Sequence, residues 1–477
     1  MSRARVAIAG AGLAGLAAGC ALADAGFQVT VFERRPYVGG RASSYEHPGT
    51  GEVVDNCQHV LLGCCTNLID LYRRIGVEQK IRWYDRLTFL EPGGRRSDIE
   101  PSFLPAPFHN TLSFLWAHSL GLADKAAIGR ALMSIMRRLP EETGETFLDW
   151  LKRKGQTQRA IDRFWKVVLV SALNEDLDRM SVHYAAQVFR ESFLRSAEGG
   201  RMGVPNVPLT ELYGAAGEYI RSRGGEVRLR SGVDAIKPES GGVRLCGGGE
   251  EFLADYGVSA LPFQALEKAL PQDEAAGPLR AMLQRFETSP ITGIHFWFDR
   301  QITDLDHAVL LDRTIQWMFH KSRLLRGGSA GLQPGGTAIA DGAASAAAGS
   351  YLELVVSSSK ALVDKPRNEI LDLALLELAD FFPAVREAKV LKSTVIKEVH
   401  ATYSALPRSD DYRPGNATAW PRLFLAGDWT ATGWPATMEG AVRSGYLAAE
   451  ALMQSAGKPR IVLRPDLPAR GLMRVFA

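Results

Sequence analysis

Beside Asp55, three polar side chains, Asn56, Gln58 and His59, interrupt an otherwise apolar run, Val53-Val54-Asp55-Asn56-Cys57-Gln58-His59-Val60-Leu61-Leu62. Asn56 and Gln58 can each donate and accept hydrogen bonds, and His59 can take or give a proton near neutral pH. An unsatisfied buried polar group costs about 1–3 kcal/mol, so three so close together imply chemistry, in which a polar group on a substrate is oriented and a proton moved to or from it. A lone His in such a run more often belongs to the core; Asn56 and Gln58 beside it favour catalysis. A second set, Gly10-Ala11-Gly12-Leu13-Ala14-Gly15 with Glu33 further on, suits a phosphate-bearing ligand. A third, Gly427-Asp428 with Met438-Glu439-Gly440-Ala441, joins an acid to a glycine turn at the other end of the chain. No cysteine pair repeats at a metal-site spacing, and no metal is expected.

The elements that must position these residues can be read around them. Val6 to Ala9 predicts a short buried strand, Leu16 to Ala25 a helix ending at Gly26, and Gln28 to Glu33 a second strand, a βαβ unit around a glycine fingerprint. Gly10 allows the tight turn, Gly12 admits a pyrophosphate to the backbone, and Gly15 lets helix and strand pack. Ala14 completes the cradle, and the helix amides face the phosphates. Glu33 can accept hydrogen bonds from a ribose 2′-OH and would repel a 2′-phosphate; Arg34 beside it joins the expected nucleotide contacts. Leu423 to Leu425 predicts a strand running into Gly427-Asp428, and Val442 to Leu452 a helix. Between the ends lie a helix at Leu209 to Ser222 and strands around Glu226 to Leu229, Val243 to Leu245 and Tyr256 to Ala260.

The extension Gly39-Gly40-Arg41 resembles that of two-dinucleotide-binding flavoproteins of the amine oxidase and carotenoid desaturase superfamily. There the glycines turn the chain back over the nucleotide and the arginine lies near its phosphates. The resemblance implies FAD rather than NAD, with Gly40 and Arg41 as contacts and the backbone near Val233 against the adenine. Asp428 is then placed to bond a ribityl hydroxyl. The amides of the Met438, Glu439 and Ala441 turn meet the flavin pyrimidine edge, where the helix dipole favours negative charge. The expected architecture is α/β, a discontinuous Rossmann-like FAD-binding domain (1–90, 200–262 and 415–456) with an α+β substrate domain. The latter comprises a mostly helical insert (91–199) and a sheet-containing one (263–414); 457–477 form a tail. Gly327 to Gly349, rich in Gly, Ala and Ser, reads as a mobile loop. No second dinucleotide fingerprint offers a site for NAD(P)H.

The run Asp55-Asn56-Cys57-Gln58-His59-Val60-Leu61-Leu62-Gly63-Cys64 resembles hydroxysqualene dehydroxylase, a squalene-associated FAD-dependent family of bacterial hopanoid pathways. Ala401 to Pro407 and Gly427 to Gly440 resemble it too, and the likeness spans about residues 5–455. It implies reductive dehydroxylation: the hydroxyl of hydroxysqualene is protonated and leaves as water, and hydride from reduced flavin quenches the allylic cation to give squalene. His59 is then the acid, or orients a water that is, while Asn56 and Gln58 position the hydroxyl. Trp297, Phe298, Trp317 and Phe319 line an apolar tunnel or simply pack the strands. The implied partners are a long apolar triterpenoid and upstream squalene-pathway synthases. The family often has Gly where this chain has Cys57, and a cysteine would be strained there if the site needed positive φ. A carotenoid or phytoene desaturase would share the fold and reverse the electron flow. An amine oxidase would need a lysine by the flavin, and none can be picked out. A prenyl-binding scaffold of the same fold would use no flavin chemistry.

The 477 residues, 46% hydrophobic and 23% charged, suit a folded chain of two or three interwoven units. A net charge of +3 and basic pairs that never merge into a run exclude nucleic acid as a partner. Five cysteines point away from a disulfide framework and toward a reducing cytoplasm. Val6 to Ala23 is apolar, but its glycines make it part of the nucleotide motif; no other stretch reaches the roughly eighteen apolar residues that span a bilayer. Phe103 to Phe108 and Leu112 to Trp116 read either as core packing or as a membrane-surface contact and lipid portal. The tail from Ile461, where Arg464, Arg470 and Arg474 mix with apolar residues, lies on an anionic membrane or is disordered. A cytoplasmic protein, peripheral on the inner face of the membrane, is the expectation.

Overall fold

Arg5–Ala9, Gln28–Phe32 and Tyr256–Ser259 are short apolar runs that suit strands buried on both faces, the pattern of a parallel sheet. They assemble with Glu226–Arg228 and Leu423–Leu425 into five parallel strands, ordered Glu226–Arg228, Gln28–Phe32, Arg5–Ala9, Tyr256–Ser259, Leu423–Leu425. Val6 pairs with Tyr256 and Gly257 with Leu423, so the two ends of the chain meet on one sheet through a strand from the middle. The computed structural model describes residues 3–325 and 349–476; the Gly327 to Gly349 loop lies, up to residue 348, outside them.

The helix Leu13–Asp24 is apolar on every side, and eleven of its twelve residues are buried. It lies between Leu209–Ser222 and the last helix, Met438–Ser455. Gly445 makes the second contact possible, since a side chain there would drive into the Ala14 carbonyl.

The second sheet has seven strands, ordered Val390–Tyr403, Thr288–Phe298, Tyr351–Ser357, Trp317–His320, His307–Leu310, Leu87–Leu90, Arg96–Ile99. On one face Ile294, Phe296 and Phe298 pack with Ile370, Ala374 and Leu378 of the helix Arg367–Phe381. The division at residue 90 expected from sequence falls inside a hairpin, because Leu87–Leu90 pairs with Arg96–Ile99 and both join this sheet. The helical insert packs around stacked and edge-on aromatics, Phe147, Trp150, Trp165 and Phe189. All five cysteines are free. Among the described residues no helix is long and apolar enough to cross a membrane.

Candidate active site

At the nucleotide end the glycine loop is built for close approach. Gly10 has φ +103°, and a Cβ there would stand 2.8 Å from the Ala260 carbonyl oxygen. Gly12 bridges to Gly39, and a Cβ on Gly40 would come within 3.0 Å of the Gly12 Cα, so the two glycine turns form one cradle wall. The helix beginning at Leu13 has no side-chain cap and no acid in its first turn, which leaves its amides to an anion. These features fit a pyrophosphate. Gly15 packs against the Gly10 carbonyl, the helix–loop contact expected of it. The buried Glu33 carboxylate accepts from the amides of Ala11 and Arg35, each at 2.9 Å, which braces the cradle and leaves lone pairs for a ribose hydroxyl. The Ser231 amide donates to the Glu33 carbonyl at 2.8 Å, and Gly232 lies against exposed Arg34. Val233 therefore stands beside the end of the second strand, where the adenine reading needs it.

At the other end one expectation changes. Arg41 does not reach toward the phosphate loop: its guanidinium donates to Asp428 Oδ1 at 2.5 Å and to the Ala401 carbonyl at 3.0 Å. Arg41 thus fixes Asp428, the residue expected on the ribityl chain. Glu439 was expected at the flavin edge through its backbone amide; its side chain serves the fold. It is fully buried, and its carboxylate accepts from the amides of Asn67 and Leu68 at 3.2 and 2.8 Å, capping the helix Thr66–Arg74. That helix lacks a side-chain cap of its own, which is why an acid from another element fills the place. Met438 accepts from the Tyr213 hydroxyl through Sδ at 3.3 Å, and the Ala441 amide continues the helix to Thr437. Gly427 donates to Ser444 Oγ at 2.8 Å, holding strand and last helix together. Buried Arg413, which sequence reasoning passed over, donates to the carbonyls of Asp428, Thr430 and Trp434 and ties the whole turn down.

Between the sheets lies a buried charged cluster. Lys321 Nζ donates to Asp55 Oδ2 at 2.6 Å and to Gln58 Oε1 at 2.8 Å, and lies 3.4 Å from Glu353 Oε2. All are buried. Burial pushes the Glu353 carboxyl up to about 7; the Asp55 charge adds to this and Lys321 opposes it. Burial would raise Asp55 as well, but the Lys321 ammonium and the donors Lys321, Ser44 and the Leu209 amide overcome it, so its carboxyl stays below its ordinary value. His295 shares a strand pair with Glu353; its Nδ1 is 2.9 Å from the Tyr351 hydroxyl, and burial keeps it neutral by lowering its pKa to about 3.

The expected catalytic trio belongs to this neighbourhood, in altered roles. Asn56 spends its amide on the chain itself, donating to the Arg41 carbonyl at 2.6 Å and accepting from the Ser43 amide at 3.4 Å. Gln58 is held at both ends, by Lys321 and by donation to the His59 carbonyl at 2.9 Å. His59 Nδ1 is 2.7 Å from the Cys57 carbonyl and so carries the proton, which leaves Nε2 as an acceptor. Burial lowers its pKa, so the neutral ring suits a base better than the acid expected of it. Cys57 has no positive φ and is unstrained, and burial pushes its thiol up. Trp297, Trp317 and Phe319 share the sheet face of His295, Tyr351 and Glu353; Trp297 stacks on Tyr351 at 4.3 Å and Trp317 on Phe319 at 5.6 Å. Phe298 alternates to the opposite face and is core. Lys321 and Glu353 were missed, although a carboxylate inside the apolar strand Tyr-Leu-Glu-Leu-Val-Val was a usable signal.

A dinucleotide cradle on a parallel sheet, joined across a buried polar cluster to a second, mixed sheet, defines a flavin-dependent oxidoreductase. The flavin containing amine oxidoreductase family matches residues 13–453, and the chain belongs to it. Its cofactor is FAD. The chain is 29% identical over 490 aligned positions to 15-cis-phytoene desaturase of Synechococcus elongatus, covering 95% of this chain and 98% of the relative. It is 27% identical to zeta-carotene desaturase of Synechocystis sp., covering 95% and 98%. Among solved structures, an oxidoreductase from Methanosarcina mazei has a TM-score of 0.69 at 18% identity over 94% of this chain and 100% of its own. Putrescine oxidase bound to putrescine has 0.68 at 16%, covering 96% and 99%. At those identities the structures speak for the fold alone. The protein is an FAD-dependent oxidoreductase of the flavin containing amine oxidoreductase family.

Proposed function

We propose that the protein desaturates a polyprenyl hydrocarbon. Desaturation removes a hydride and a proton from neighbouring carbons, and bound FAD supplies the hydride acceptor. The chain must receive the proton, and His59 carries the reading: a neutral ring, its Nδ1 tied to Cys57, with Nε2 ready to accept. Gln58, gripped by Lys321, keeps this segment in place. Trp297, Trp317 and Phe319 set an aromatic patch beside the polar groups of that sheet face, suited to a hydrocarbon and to positive charge developing on it. The near full-length likeness to phytoene and zeta-carotene desaturases supports the same substrate class.

A second reading, reductive dehydroxylation of hydroxysqualene to squalene, draws on the Asp55 to Cys64 resemblance and on Glu353, a buried carboxyl that still holds its proton near neutral pH. The two readings run electrons in opposite directions, so one pair of anaerobic experiments separates them. Oxidised holoenzyme is given 15-cis-phytoene, and photoreduced holoenzyme is given hydroxysqualene, each in detergent, with flavin colour and lipid products followed together. Bleaching matched by a newly conjugated polyene supports desaturation. Return of colour matched by squalene, with no bleaching by phytoene, replaces it with dehydroxylation.

A further inference from the structure

The segment 103–122 carries large apolar side chains that nothing among the described residues covers. Phe103, Trp116 and Leu122 are 89%, 79% and 83% exposed, and Phe108 and Leu115 are also exposed. The helix Thr111–Trp116, Thr-Leu-Ser-Phe-Leu-Trp, has no buried residue, although four of its six side chains are apolar. A helix of that composition is normally held by burying its apolar side. This one turns only Phe114 inward, half-buried and edge-on to Phe164 at 5.6 Å, and is otherwise held by Lys125 Nζ donating to the Leu115 carbonyl at 2.7 Å and by Ser113 Oγ donating to the Glu100 carbonyl at 2.7 Å.

The far end of the chain comes to the same place. The turn Gly471–Val475 docks on the 103–108 loop: the Leu472 amide donates to the Ala106 carbonyl at 2.9 Å, and Gly471 leaves room for that carbonyl. The Arg470 amide donates to the Arg195 carbonyl at 2.9 Å, and Arg190 donates to the Phe476 carbonyl at 2.7 Å. Met473 is buried as the anchor, while Leu472 and Val475 point outward, 52% and 77% exposed. Arg470 and Arg474 are exposed beside them, and neither forms an ion pair among the described residues. Two remote segments are thus pinned together by backbone hydrogen bonds and present protruding apolar side chains next to these cations.

We propose that this face docks the protein on an anionic lipid bilayer, with Phe103, Trp116, Leu122 and Val475 entering the headgroup–acyl boundary and Arg470 and Arg474 meeting lipid phosphates. Side chains so fully exposed form a projection rather than a groove, and a bilayer receives projections without a matching pocket. The adjacent cations select a negative surface. The inference does not rest on which hydrocarbon is the substrate.

The full-length holoenzyme is pelleted with sucrose-loaded vesicles of phosphatidylglycerol and phosphatidylethanolamine, and separately with vesicles of phosphatidylcholine. Wild type is expected to sediment with the anionic vesicles and far less with the neutral ones. The pair Phe103→Asp with Trp116→Asp is expected to weaken binding about tenfold or more, since burying one such ring contributes roughly 1.5–3 kcal/mol. The pair Arg470→Gln with Arg474→Gln is expected to remove the anionic preference, as raised salt does. Unchanged melting temperature and flavin absorbance show that the variants are folded. Wild type left in the supernatant, or Asp variants that bind like wild type, would overturn the proposal, and equal binding to neutral vesicles would overturn the assignment to anionic lipid. A solution dimer that the Asp pair converts to monomer, with no vesicle binding, would give the face to a second copy of the chain instead.

Discussion

Lys321, Asp55 and Glu353 set one ammonium against two carboxylates in a space closed to water. Asp55 is the nearer acid and has further donors from Ser44 and Leu209, so it keeps the charge, and Glu353 keeps a proton to well above its ordinary range. The pH dependence follows in sign. A carboxyl whose folded pKa is raised from 4.5 to about 7 contributes stability that is complete below its unfolded value and is lost as pH rises through 7. The loss is on the order of 3 kcal/mol across that interval. Glu353→Gln should flatten this slope in urea titrations made near pH 5 and near pH 8; a variant that loses stability with pH as wild type does would clear Glu353 of that titration. Lys321→Met should cost about 3–5 kcal/mol by leaving Asp55 buried and unpaired. Combined with Glu353→Gln it should cost less than the sum, because both changes act on one network. This cluster was half legible beforehand. Asp55, Asn56, Gln58 and His59 stood out along one segment, but residue types along a segment do not reveal what faces them, and here the facing residues are Glu353 on a strand of another sheet and Lys321 at the start of the short helix Lys321–Leu324.

Glu439 marks the same limit for elements. Its amide belongs to the turn expected at the flavin edge, but nothing along the chain tells that its carboxylate crosses to a different helix and caps Thr66–Arg74. Glu439→Ala should therefore destabilise the protein by about 1–2 kcal/mol through fraying of that helix, and should leave flavin bound. Thermal melts with parallel flavin absorbance decide it: loss of flavin at an unchanged melting temperature would return Glu439 to the cofactor. Elements whose reasons are local were readable. The helix Leu209–Ser222 has the bounds its periodicity predicts, and the strand–glycine–helix–strand unit stands where the motif puts it. The expected division at residue 90 cuts through the hairpin of Leu87–Leu90 and Arg96–Ile99 because a four-residue strand does not encode its neighbours; its pairing with His307–Leu310 is a tertiary choice.

For the whole molecule, the ordering of the first sheet carries a consequence for folding. Arg5–Ala9 pairs with Tyr256–Ser259, which pairs with Leu423–Leu425, and Met438–Ser455 covers Leu13–Asp24. Contacts so distant along the chain close late and make folding slow. The first helix has no polar face to show to water, so until the last helix arrives it remains an exposed apolar surface. A chain ending at Pro414 keeps the glycine loop, Glu33 and Val233, but lacks Asp428, the edge strand and that cover. It should collect in the insoluble fraction and carry no flavin after refolding. A chain ending at Gly457 restores all three and should fold and bind FAD, although it loses the tail contacts from Val462 and Leu463 to Glu450 and from Arg464 to Asp70, and the docking of Gly471–Val475 on the 103–108 loop. Soluble, yellow protein from the shorter chain would mean that the first and middle segments hold FAD by themselves, and that the union of the two chain ends serves the second sheet and its chemistry rather than the cofactor.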